Sequence, residues 1–202
     1  DEVDEVLWLP VDRADDLLTY PSEFQVLKEA LSVRPPTTTI VVVRHGKAVS
    51  RKEWAAGTSR KHRDDARRPL DRRGKRQAES LPQILDCYAV HRLVSSSAAR
   101  CVQTLTPYAK QIGVDVRADD ELTEEVHTED PDRTEARMCR IVADALNDPA
   151  QPVAICGHRP VLPLMNHALG VVYHPMSTAE CLIVHLDRDG KSLAEERLDS
   201  II

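Results

Sequence analysis

Residues 40–46 read Ile40-Val41-Val42-Val43-Arg44-His45-Gly46. Four consecutive β-branched residues form a run too short and too stiff for a helix, and they suit a strand covered on both faces, as the strands of parallel sheets are. The run breaks off into a guanidinium, an imidazole and a glycine. Chemistry-bearing groups therefore stand at the carboxyl end of a buried strand, which is where open α/β sheets bind their ligands.

Downstream the same arrangement recurs. Arg92 to Ser96 reads as a second strand, and Ala98, Val102, Leu105, Ala109 and Ile112 then repeat at spacings of three and four until Gly113 ends the helix. Pro152 to Cys156 reads as a third buried strand, followed by Gly157, His158 and a helix over 159–169. Between these lie a helix over 71–86, which Pro82 is expected to kink or restart, a short strand over 114–117 and a helix over 131–147. Residues 180–199 read as a hairpin turning at 187–190. This alternation predicts an α/β fold with a mostly parallel central sheet flanked by helices.

Upstream, Arg34-Pro35-Pro36-Thr37-Thr38-Thr39 is polar and proline-stiffened, as a boundary between folding units is. Ahead of it, Glu2 to Pro10 alternates apolar and acidic residues and reads as an exposed strand. Two short helical patterns follow, with Asp12 expected to cap the first and Ser22 the second, where Phe24, Leu27 and Leu31 repeat. The chain thus divides into residues 1–33, a linker at 34–39 and a main domain at 40–202.

A length of 202 residues fits one ordinary domain, or one domain with a fragment of another. No apolar run approaches the ~18 to 20 residues of a membrane span, and the N-terminus is acidic where a signal peptide is basic, so the chain reads as cytoplasmic. Aromatics are only 3% of residues, which argues against a stacking platform for a nucleic acid polymer. Five cysteines without a C-x-x-C pair read as reduced thiols. The formal net charge is −6, yet residues 44–76 hold thirteen bases against four acids, while residues 1–33 hold nine acids against two bases. The basic segment is either a solvated surface or a funnel for a highly anionic substrate.

Collecting the residues just past each strand gives Arg44, His45 and Gly46, then Ser95 to Ser97 and Arg100, then Gly157 and His158. Guanidinium forks match phosphate oxygens, and an imidazole can be a neutral nucleophile or a proton donor near neutrality. The set is equipment for phosphoryl transfer. No carboxylate or further histidine stands at metal-ligand spacing from His45 or His158, so no metal is expected there. A serine nucleophile lacks a G-x-S-x-G elbow, and Ser95 to Ser97 read as a strand-to-helix turn.

With VVVRHGKA, RRPLDRRGKRQA (Arg67 to Ala78), SSSAARCVQTL and CGHRPVL in this order, the chain resembles the histidine phosphatases over about residues 38–200, and most of all their small SixA-like branch. Asp71 stands where that branch's R-P-L-T-x-x-G box has threonine. The resemblance implies that His45 is the nucleophile that becomes phosphorylated, that Arg44, Arg68 and Arg100 hold the phosphoryl oxygens beside Gly46, and that His158 completes the pocket. It implies a general acid in Glu121-Leu122-Thr123-Glu124-Glu125, with Glu124 preferred and Glu125 next. Lys47 either touches a second phosphate or faces solvent.

Residues 1–33 resemble the last strand and helix of a Nudix hydrolase without its G-x5-E-x7-R-E-x-x-E-E box. That resemblance implies a fragment whose partner is the remaining Nudix domain of a parent chain, magnesium being needed only by that missing part and no cofactor by this one. The pair resembles bacterial MutT-type enzymes that sanitise nucleotides such as 8-oxo-dGTP and, in some members, cleave diadenosine polyphosphates, so a nucleotide is the expected substrate. Two other readings share the pocket: a SixA-like protein phosphohistidine phosphatase, and a non-catalytic phosphate-binding module serving the Nudix half. The sequence says nothing of oligomeric state.

Overall fold

The computed structural model describes residues 11–14, 16–33, 36–59, 62 and 64–200, the side chains of residues 12 and 33 excepted. The chain divides into two compact units, residues 1–36 and 37–202.

In the first unit the strand expected at 2–10 lies outside the described residues. Two helices are present, α1 at Val11–Ala14 and α2 at Pro21–Val33. Neither expected cap holds. Asp12 lies inside α1, which begins one residue earlier. Ser22 lies inside α2 because Pro21, whose missing N–H costs nothing at the first helical position, already starts the helix. The Glu23 carboxylate instead accepts the Tyr20 N–H at 3.2 Å.

The second unit holds β1 (Thr38–Arg44), α3 (Arg51–Ala55), α4 (Arg72–Asp86), β2 (Arg92–Ser96), α5 (Ala99–Ile112), β3 (Val116–Asp119), α6 (Glu124–Glu129), α7 (Pro131–Asn147), β4 (Val153–Gly157), α8 (Leu162–Ala168), β5 (Cys181–Leu186) and β6 (Ser192–Leu198). The six strands form one sheet in the order β3-β2-β4-β1-β5-β6. The first four run parallel, and the C-terminal hairpin adds β5 and β6 antiparallel. The sheet is therefore mixed, and the expected α/β fold is the one observed.

The alternation of a pleated strand explains the layering. Ile40 and Val42 join one apolar cluster with Met138, Ile141, Leu162 and Met165 of α7 and α8. Val41 and Val43 join a second, with Leu81, Leu85, Leu105 and Tyr108 of α4 and α5. All four β1 residues are fully buried, as a strand between two helical layers requires. α4 runs on through Pro82 without the expected break. Its buried face of Gln77, Ala78, Leu81, Ile84 and Leu85 outweighs the ~3 kcal/mol that an interior proline costs. β3 begins two residues later than its sequence pattern suggested, and α8 occupies only the middle of the helical stretch expected over 159–169. Among the described residues no helix is long and apolar enough to cross a membrane.

Candidate active site

Three adjacent parallel strands deliver their carboxyl ends to one place. Arg44 of β1 lies opposite Gly157 of β4, and Ser95 of β2 lies opposite Cys156 of β4. His45 and His158 each follow one step beyond the pairing, and their ring centroids are 5.4 Å apart with planes at 64°.

Two glycines bring the loop after β1 close to α4. A Cβ on Gly46 would fall 2.9 Å from the Gly74 carbonyl oxygen, and one on Gly74 would fall 1.9 Å from the Lys47 carbonyl oxygen, so backbone passes backbone here. Asp71 caps α4 by accepting the Gly74 N–H at 2.7 Å, a duty that aspartate and threonine both perform, which accounts for Asp71 in that box. The Gly46 N–H donates to Thr104 Oγ1 at 2.9 Å, and the Thr104 hydroxyl donates to the Arg100 carbonyl at 2.7 Å. Loop and α5 are locked together around the site.

His45 Nδ1 is 2.7 Å from the Gly46 carbonyl oxygen, which can only accept, so Nδ1 carries the proton. Burial pushes the His45 imidazole down to about 4, and the charges of His158 and Arg100 push the same way. At neutral pH the ring is thus uncharged with its lone pair on Nε2, the form a nucleophile needs. The free enzyme's kcat/KM should hold down to about pH 5 and fall near pH 4, where an ordinary histidine would titrate near ~6.5. An acid limb centred at the ordinary value in a pH–rate profile would contradict this.

His158 is fully buried between two partners. Its Nε2 is 2.7 Å from Ser96 Oγ, and its Nδ1 is 3.3 Å from Glu124 Oε1. Burial presses the imidazolium down, but Cys101, within 3.7 Å, and the bond to Glu124 outweigh it and raise His158 overall. Glu124 Oε1 also accepts from Arg100 Nη2 at 3.0 Å, and its Oε2 from Arg51 Nη2 at 2.6 Å. The bond to His158, then Arg100, hold its carboxyl well below the usual carboxylate range.

Arg100 is buried, with Nη1 donating to the Asp65 carbonyl at 3.0 Å. Arg44 Nη1 donates to the Met176 carbonyl, and burial, with Arg159, lowers the Arg44 guanidinium. Both guanidiniums keep a buried Nε without a hydrogen-bond partner among the described residues.

The structure brings His45, His158, Glu124 and Arg100 together, with Arg44 next to His45 in the chain. Arg68 reaches them only through Asp65, which it grips with Nε and Nη2 while Nη1 donates to the Val49 carbonyl. Lys47 is exposed, with Nζ 3.8 Å from Asp71. Glu125 is exposed. Ser96, collected with its neighbours but read only as part of a turn, is the partner of His158, while Thr104, Asp65 and Arg51 went unrecognised in the sequence. Thr104, four residues after Arg100 on one helix face, carried a readable signal, whereas Asp65 and Arg51 meet Arg100 and Glu124 only through tertiary folding.

Ligand atoms of His45, Glu124 and His158 lie within 4.8 Å of one another, close enough to hold a cation. The sequence spacing gave no hint of this, because Glu124 arrives from a different element. Arg100, bonded to the same carboxylate, opposes a cation there and suits an anion.

Residues 40–128 match the histidine phosphatase superfamily (branch 1). An 8-oxo-(d)GTP phosphatase of Mycolicibacterium smegmatis is 37% identical over 163 residues, covering 81% of this chain and 47% of that protein, so the chain spans about half the length of this curated relative. The protein histidine phosphatase SixA, solved with tungstate, superposes at a TM-score of 0.61 with 19% identity over 80% of this chain and 97% of its own. A mycobacterial glucosyl-3-phosphoglycerate phosphatase superposes at 0.56 with 15% identity over 81% of this chain and 98% of its own.

Proposed function

We propose that this chain, whose residues 40–128 match the histidine phosphatase superfamily, hydrolyses nucleoside polyphosphates of the 8-oxo-(d)GTP kind through a phosphohistidine at His45. Diadenosine polyphosphates belong to the same substrate class. The observation that carries the reading is the uncharged, Nδ1-tethered His45, its ring 5.4 Å from that of buried His158 and under the charge of buried Arg100. The relative that is 37% identical supports the substrate.

In this mechanism His45 Nε2 attacks the terminal phosphorus in line, the P–N bond forms, and the P–O bond to the rest of the nucleotide breaks. Arg44, Arg100 and a protonated His158 neutralise the equatorial oxygens. Glu124 bears on the leaving group. An ionised carboxylate has no proton to give, so the first step suits a leaving group that is itself a stable anion, as the phosphate of an anhydride is and an alkoxide is not. In the second step water, oriented by a hydrogen bond to Glu124, attacks phosphohistidine; the P–N bond breaks, the water's proton leaves with the freed phosphate, and neutral His45 is restored. Arg68 keeps Asp65 in place beside Arg100, and Lys47, at the rim, meets a further phosphate.

Residues 1–33 are, in this reading, the end of a Nudix domain whose remainder holds the magnesium. Exposed Val26 and Leu31 on α2 fit a helix whose packing partners lie in that remainder.

Two measurements test the reading. Catalytic efficiency should rise from nucleoside monophosphate to triphosphate and fall with salt, since exposed bases of residues 44–76 contribute screened attraction. Arg60, Lys61 and Arg63 of that segment lie outside the described residues. Activity should also survive excess chelator, because guanidiniums supply the charge stabilisation. A phosphorylated histidine protein cleaved far faster than any nucleotide would favour the SixA-like alternative. Activity lost to chelator and restored by magnesium would overturn the assignment of roles.

A further inference from the structure

A cavity of about 540 Å³ is lined by Glu124 and Asp65, the two residues that also hold Arg100. Its other walls come from α3, the loop after it and α6, and include Arg51, Trp54, His62, Glu125 and Glu129. Its lining combines one cation, two rings and four carboxylates. Next to the shared carboxylates stands Arg51, a mostly exposed cation bound to Glu124 Oε2 and 3.5 Å from Asp65. The same lining holds two rings, Trp54 and His62, with centroids 4.3 Å apart and planes at 61°.

The rings are held in place. The indole N–H donates to the Asp64 carbonyl at 3.1 Å, and His62 Nδ1 is 2.8 Å from Ser59 Oγ. The imidazole lies so close on Gly57 that a Cβ there would fall 2.4 Å from it. Such a wall suits a flat ring, and Glu125 and Glu129 at the margin can only accept hydrogen bonds while ionised.

Resting on the function proposed above, we infer that this cavity seats the leaving half of the substrate, a guanine-type nucleoside phosphate. Its phosphate lies against Arg51, its base is stacked on Trp54 with His62 at an angle beside it, and its N–H edge is turned to Glu125 and Glu129. A phosphorylated histidine on a protein surface carries its small ring directly on the phosphorus, with no further phosphate and purine to place there. The scarcity of aromatics that argues against a multi-base platform does not bear on a wall for one base.

Binding can be read apart from catalysis. In a Trp8→Phe chain the remaining tryptophan is Trp54, and titration with GMP should quench its fluorescence while ribose 5-phosphate leaves it unchanged. In the enzyme, Trp54→Ala should lower kcat/KM for GDP relative to that for acetyl phosphate about tenfold, the loss expected for one base–aromatic stack. Trp54→Phe, which keeps a ring but drops the bond to Asp64, should restore most of it, so a merely structural tie of the indole is distinguished. Equal responses to GMP and ribose 5-phosphate, or an unchanged GDP preference in Trp54→Ala, would overturn the inference. If no phosphate compound is turned over, the catalytic reading fails, and the fluorescence titration still decides this one.

Discussion

Replacing His45 by alanine should lower turnover of every substrate by about four orders of magnitude or more, the scale of loss when a covalent nucleophile is removed. The expectation follows from the geometry. His45 Nδ1 is committed to the Gly46 carbonyl, so Nε2 is the one ring atom able to take a phosphoryl group. The phosphate-binding groups would survive the substitution, since Arg100 and His158 are held by Asp65, Glu124 and Ser96 and not by His45. KM, or the affinity for inorganic phosphate, should therefore change little. Steady-state kinetics that show substantial residual turnover with intact binding would assign the chemistry to another group.

Exchange of Arg100 for lysine should be the next largest effect, a fall of roughly ten- to a hundredfold in kcat/KM, from about 1.5–3 kcal/mol of lost charge-assisted hydrogen bonding. Lysine keeps the charge but not the fork. One ammonium cannot meet the Asp65 carbonyl and Glu124 Oε1 together, as Nη1 and Nη2 now do at 3.0 Å each, and also reach a phosphoryl oxygen. Glu124 would lose part of what keeps it ionised, so the pH profile should shift along with the rate. Kinetics of Arg100→Lys close to those of the parent would place this residue outside the phosphate pocket.

How far the molecule could be read from its residues depended on how local the signal was. β1 was legible because four β-branched residues in a row need cover on both faces, and Arg44 and His45 because they follow that strand directly. α5, with Arg100 near its start, and β4, with His158 just past its end, were legible for the same reason. The choice between Glu124 and Glu125 was a matter of resemblance alone, and only packing tells them apart. Glu124, at the first position of α6, meets Arg100 and His158, while Glu125 is exposed. Arg68 is where its motif puts it, yet its guanidinium is spent on Asp65, a partner three residues away that no spacing rule singled out. The cap at Ser22 was misread because a proline at a first helical position moves the start of a helix ahead of the serine that looks like its cap.

The central claim is the phosphohistidine, and trapping tests it most directly. Rapid acid-free quenching of the chain with a nucleoside triphosphate labelled at the terminal phosphate, followed by digestion and mass spectrometry, should place the label on the peptide carrying His45. The linkage should be labile to acid and stable to base, and it should be absent from His45→Ala. Label on a serine or a carboxylate, or turnover in the parent chain without any label on His45, would contradict the account.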